Sequence, residues 1–95
     1  MKIELVSQLQ KISQMAKKAV RAEGLRPLIQ EAQKLAEAAK VKVDGGSEIL
    51  LGQLDTELLT WLSKLDIILK EPAGRNGMAK HANFWAERID QCHMN

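Results

Sequence analysis

The chain has 95 residues, 45% hydrophobic and 27% charged, with 14 Lys and Arg against 12 Asp and Glu, one cysteine and a net charge of +2. That composition fits one small globular domain and excludes a disulfide-stapled fold, because a lone Cys92 has no internal partner. It excludes a helical membrane span as well, since no apolar run exceeds three residues (Ile49-Leu50-Leu51, Ile67-Ile68-Leu69) where a spanning helix needs about 20.

A chain of this length buries roughly 60 to 65% of its unfolded surface, enough for one core and one domain spanning residues 1–95. A free thiol is ordinary in a reducing compartment. The start, Met1 to Leu5, carries no continuous apolar segment of the secretory type, so the expected location is the cytoplasm.

The first element is an amphipathic helix at about 3–23, because Leu5, Leu9, Ile12, Ala16 and Ala19 recur at four- and three-residue steps along one face. Gly24 and Pro27 predict its end. A second stripe of Leu28, Ala32, Leu35 and Ala39 predicts a shorter helix at about 27–41, with Pro27 in its first turn, where a missing N–H costs nothing. Val41 to Gly46 reads as a connector. A third helix at about 47–70 starts at Ser47 as N-cap and carries Leu51, Leu54, Leu58, Trp61, Leu65 and Ile68 on its stripe. Pro72, Gly74 and Gly77 predict an exposed loop over 71–77, and a fourth helix at about 78–93 carries Met78, Ala82, Trp85, Ile89 and Cys92 on one face. Segment 5–12 also aligns with 28–35, matching Leu, Gln and Lys, which two amphipathic helices of similar composition produce by chance.

Four such helices with short connections predict an all-α antiparallel four-helix bundle built from two helical hairpins. Ile49, Leu59 and Ile67 lie off the main stripe of the third helix. They are covered either by neighbouring helices or by a partner chain, and a second copy related by two-fold symmetry is the commonest partner, so a homodimer completing the bundle is one expectation.

Through Val43 there are nine Lys and Arg against four Asp and Glu, and from Asp44 onward five against eight. Lys11, Lys18 and Arg21, with Lys17 at the edge, would share a face able to attract phosphate. No aromatic precedes Trp61 to stack on bases or bulk a membrane-lying face, so nucleic acid is weakly supported and a membrane surface is not expected. No spacing of His, Cys and carboxylates supplies two metal ligands on one helical face, and neither metal nor cofactor is expected. Asp55 and Asp66 share a side but stand about 16 Å apart at ~1.5 Å per residue, too far for acid–base work as a pair.

Two candidate sites remain. In Gly74-Arg75-Asn76-Gly77-Met78-Ala79-Lys80-His81, Arg75, Asn76 and His81 resemble the Arg-polar-x-x-x-x-His motif of HEPN family proteins, small all-α domains of which many are metal-independent ribonucleases acting at a dimer interface. By that resemblance Arg75 would neutralise charge on the scissile phosphate and His81 would move the proton, with Asn76 as polar companion. The tyrosine that often follows the histidine in that family has no counterpart, as the chain has no tyrosine. The other candidate is a recognition strip of His81, Phe84 and Arg88 on one side of the fourth helix, whose aromatic and arginine content is what interfaces favour. The function expected is a non-catalytic protein-interaction or regulatory module, with a ribonuclease as the alternative.

Overall fold

A computed structural model describes residues 2–19, 21–41, 43 and 45–92 of the protein. Four helices follow one another: α1 (Lys2–Ala16), α2 (Ala22–Lys40), α3 (Gly45–Lys70) and α4 (Pro72–Gln91). No strand occurs among the described residues. α1 packs on α2 and α4, and α3 packs on the same two, so helices adjacent in sequence are adjacent in space and the first closes against the last.

Polar ties between helices fix their directions. Lys2 Nζ donates to the Cys92 carbonyl at 3.1 Å and Ser13 Oγ to the Ala79 carbonyl at 2.8 Å, which sets α1 antiparallel to α4. Gln8 Nε2 donates to the Leu28 carbonyl at 2.9 Å across α1 and α2. Gln8 and Ser13 are themselves buried, so each must find an acceptor inside the bundle, and the acceptor it finds pins the helix register. The predicted all-α antiparallel four-helix bundle is therefore the architecture found, closed within one chain. Its 38 Å long axis matches the 26 residues of α3 at ~1.5 Å each, so α3 runs the whole length.

Large and small side chains alternate around the core. α1 and α3, on one diagonal, supply Leu5, Leu9, Ile12, Leu51, Leu54, Leu58, Trp61, Leu65 and Leu69. α2 and α4 answer mostly with alanine: Ala32, Ala36 and Ala39 on one, Ala79, Ala82 and Ala86 on the other. Facing Leu with Ala lets the helices approach closely and fill the space between them. No described helix is long and apolar enough to cross a membrane.

The helix limits correct the sequence reading. α1 stops at Ala16 and not near residue 23; the Lys18 and Ala19 N–H groups both donate to the Met15 carbonyl, at 3.1 and 2.8 Å, and close the helix end. Turning there lets Ala22, Leu25 and Ile29 enter the core from α2. Gly24 and Pro27 consequently lie inside α2, where Pro27 in the second turn forfeits a single i→i−4 bond. With 19 residues, α2 is longer than α1 with 15, the reverse of the expected order. The loop expected over 71–77 is the first part of α4: Pro72 takes the first helical position, Glu71 alone makes the corner, in an extended conformation, and the chain turns back at once. Gly74 makes that corner possible, because a Cβ there would overlap the Ile68 carbonyl oxygen and come within 3.0 Å of its carbon.

Smaller differences follow from the same packing. Ser47 lies in the first turn of α3, buried, and is not the N-cap; Asp44 and Lys42 of the expected connector fall outside the described residues. The buried faces of α2 and α4 are turned by roughly 50 to 60° from the predicted stripes at ~100° per residue, so Leu28, Leu35 and Trp85 sit at core edges while Ala36, Ala79 and Ala86 are buried; on α3, Ile68 is at the edge and Leu69 takes the buried place. Cys92 lies just past α4, half-buried, its Sγ 3.6 Å from Ser47 Oγ, and is not a core residue of the stripe. The aligned segments 5–12 and 28–35 take different environments, with Gln8 buried and Glu31 exposed.

α3 bends at Lys64 (φ −116°, ψ 16°). Just before it, Ser63 Oγ donates to the Thr60 carbonyl at 3.1 Å, a back-bond of the kind that bends helices. The bend leaves the Leu62 carbonyl to Arg26 Nη1 of α2 at 3.4 Å.

Candidate functional site

Because α4 is continuous from Pro72, the residues of both candidate sites stand on one helix. Arg75 turns its guanidinium onto the end of α3, Nη1 donating to the Leu69 carbonyl at 2.8 Å, one of the last-turn acceptors that a helix leaves unpaired. His81 turns to the middle of α3, its Nδ1–H donating to Glu57 Oε1 at 3.0 Å. Leu69 and Glu57 are about 18 Å apart along α3 at ~1.5 Å per residue. Arg75 and His81 are thus directed at separate points on α3, and Asn76 between them is exposed. Within the single chain the two side chains do not meet.

The His81 and Glu57 pair rims a shallow groove between α3 and α4 of about 240 Å³, floored by Trp61 and Met78 and left open by Gly74 and Gly77, which have no side chains to fill it. Beyond it lies the strip anticipated from sequence, with one addition. The Phe84 ring meets Trp85 edge to face, centroids 6.0 Å apart, and the Arg88 guanidinium covers both, 5.5 Å from the Phe84 centroid and 5.8 Å from that of Trp85. Phe84 keeps 51% of its surface in water. The apolar spacing of α4 places Trp85 in the core, and only the rotation of α4 onto its alanine face brings it to the edge beside Phe84. Structure therefore joins Phe84 and Arg88 through Trp85 and ties His81 to Glu57 instead.

Ile49, Leu59 and Ile67 are exposed by 66%, 59% and 72%. Neighbouring helices do not cover them: α2 and α4 flank α3 on its inner sides, and these residues point outward.

The basic cluster does not assemble. Ending α1 at Ala16 removes the helical face that Lys18 and Arg21 would share with Lys11, and all of these residues are exposed. Lys17 instead lines an open groove of about 460 Å³ between α1 and α4 with Lys80, Gln10, Gln14 and Asn83, whereas Lys11 lines grooves on the α2 side of α1. The basic first half meets the acidic second half where Lys40 Nζ lies 2.5 Å from Asp55 Oδ2, and Lys40 also lies 3.3 Å from Glu37 Oε2 on its own helix. The hydrogen bond to Asp55 raises the Lys40 pKa above the ordinary lysine value, against a smaller opposing effect of burial, and Glu37 adds to the rise. Among the described residues no three His, Cys, Asp or Glu side chains are grouped to hold a metal ion.

No protein family, curated protein or solved structure matches the chain.

Proposed function

We propose that the protein is a non-catalytic interaction module that binds another protein through the outer side of α4. The observation that carries this reading is the Phe84, Trp85 and Arg88 cluster. Leaving half of a phenylalanine in water forgoes about 1 kcal/mol of burial, and the cluster packs that ring against Trp85 and under a guanidinium at 5.5 Å. Pre-ordered aromatic and arginine side chains lose little entropy on binding and are the residue types that dominate interface energetics. His81 and the groove beside it extend the same surface toward α3. A ribonuclease would need Arg75 to leave the Leu69 carbonyl and His81 to leave Glu57, and no geometry here favours it.

The test is retention of a partner by the protein isolated gently from its host and weighed by native mass spectrometry. Phe84→Ser and Arg88→Glu, both on the surface, should release the partner without changing helicity, and Gln10→Ala on α1 should retain it. Retention through both α4 variants contradicts the reading.

A further inference from the structure

We propose that the partner held on α4 is an acidic segment of another protein, which presents an apolar side chain to Phe84 and a carboxylate on either side of it, one for Lys80 and one for Arg88. The inference rests on the interaction-module reading and names the partner's chemistry at that same surface.

The helix sets the three residues in a row. Met78, Ala79, Ala82, Ala86 and Ile89 are buried, and at ~100° per residue the direction opposite to them falls close to Phe84, with Lys80 about 40° to one side and Arg88 about 40° to the other. Each cation stands four residues from Phe84, about 6 Å along the axis at ~1.5 Å per residue. The row is therefore cation, ring, cation, about 12 Å from end to end. Gly77 and Gln91 continue it in the two directions, and neither carries charge.

Both cations lack a carboxylate. Arg88 lies across Phe84 and Trp85, 5.5 and 5.8 Å from their centroids, and among the described residues no carboxylate pairs with it or with Lys80. Stacking uses the flat face of a guanidinium and leaves the N–H groups around its edge to donate. A fork so placed offers a carboxylate two parallel hydrogen bonds.

Charge around the row selects the occupant. The groove on its α1 side, about 460 Å³, is lined by Lys17 and Lys80 with amides and small residues, and by no carboxylate. On its α3 side Glu57 already accepts from His81. The acids of α4 are Glu87 and Asp90; four and seven residues beyond Asn83, they turn with it toward α1, and among the described residues neither pairs with Arg88. A basic partner would face Lys17, Lys80 and Arg88 without compensation. Nucleic acid fits less well. One face of the Phe84 ring already carries a guanidinium and Trp85 meets it edge to face, which takes the stacking platform a base needs, and Glu87 next to Arg88 would repel a continuous line of phosphates. An apolar side chain needs only the exposed half of the ring.

A matched pair of peptides tests the chemistry. An alanine-based helical peptide with glutamate, leucine and glutamate at successive four-residue steps is complementary to the row, and its counterpart carries lysine for both glutamates. Titrated into the isotope-labelled protein, the acidic peptide should shift the Trp85 indole resonance and leave that of buried Trp61 in place. It should bind roughly tenfold more tightly than the basic peptide, two exposed ion pairs standing in place of two repulsions. Arg88→Glu should abolish that preference, and Glu87→Lys should strengthen acidic binding several-fold; both positions are exposed, so helicity should not change. Equal affinity for the two peptides, binding of neither, or preference for the basic one overturns the proposal. A nucleic acid, or a second copy of this chain alone, in the native mass of the wild-type protein overturns it too when Arg88→Glu removes that mass. Indifference to the peptides in a protein that still releases a partner polypeptide on Arg88→Glu refutes the acidic chemistry and leaves the interaction-module reading standing.

Discussion

Gly74→Ala and Gly77→Ala place the same methyl group three residues apart on one helix, and the structure gives them opposite signs. Inside a helix alanine is favoured over glycine by about 1 kcal/mol. At Gly77 nothing lies within 4 Å of the added Cβ, so that preference is expressed in full and Gly77→Ala should stabilise by ~0.5 to 1 kcal/mol. At Gly74 the methyl would overlap the Ile68 carbonyl oxygen. A backbone atom cannot rotate aside, so the corner must open. Forced overpacking costs about 1 to 3 kcal/mol, and opening the corner also pulls Arg75 from the Leu69 carbonyl, a charge-assisted bond of 2.8 Å worth roughly another 1 to 2 kcal/mol. Set against the helix preference, the net destabilisation is about 2 kcal/mol or more, a fall in Tm of ~10 °C for a domain this size. Urea unfolding followed by far-ultraviolet circular dichroism and by tryptophan fluorescence measures both variants on one scale. If Gly74→Ala unfolds at the same or a higher urea concentration than wild type, the one-residue corner does not have the geometry described.

Other expectations follow from single contacts. Arg75→Ala should lower Tm by several degrees, about 1 kcal/mol for the lost cap on α3, while leaving RNA incubated with the protein as intact as the wild type leaves it; abolition of an RNA-cleaving activity by this variant would instead support the ribonuclease alternative. Lys40→Met should cost about 1 kcal/mol at neutral pH. The Lys40 pKa is raised in the folded state, so the ammonium's contribution is complete below the unfolded lysine value of about 10.4 and is lost as pH rises through the higher folded value. The gap between wild type and Lys40→Met in urea should therefore be constant from pH 7 to about 9.5 and shrink above ~10.5; a gap that widens there contradicts the pairing. Ser63→Ala should remove the hydroxyl bond to the Thr60 carbonyl beside the bend and stabilise α3 by a few tenths of a kcal/mol, and a urea midpoint lower than that of wild type would refute that reading.

The long apolar stripes made the bundle legible in the sequence. Leu5, Leu9 and Ile12 on α1 and Leu51 to Leu65 on α3 are large residues at regular spacing, and they are buried as their pattern requires. Alanine was harder to read. On α2 and α4 the core is lined by Ala36, Ala79 and Ala86, which a search for bulky residues passes over in favour of Leu28, Leu35 and Trp85, so both faces were turned. Glycine and proline misled at the corners for a related reason. Near Gly24 and Pro27 they are tolerated inside the opening turns of α2, and at Gly74 the residue is needed to let two helices meet, which is a property of the neighbouring helix and leaves no mark in the local sequence. For the candidate site, exposure of Ile49, Leu59, Ile67 and Phe84 followed from their place off the stripes. The pairing of His81 with Glu57, 24 residues away, and of Arg75 with a carbonyl could not, since both depend on how α4 is rotated against α3.

The central claim is that this protein works by holding another polypeptide on the outer side of α4. Native mass spectrometry of the protein isolated gently from its host, with Arg88→Glu prepared in parallel, tests it most directly. The account predicts a wild-type mass that includes a second polypeptide species and an Arg88→Glu mass that does not. A wild-type protein that carries no other polypeptide, or a partner kept equally by both forms, would contradict it.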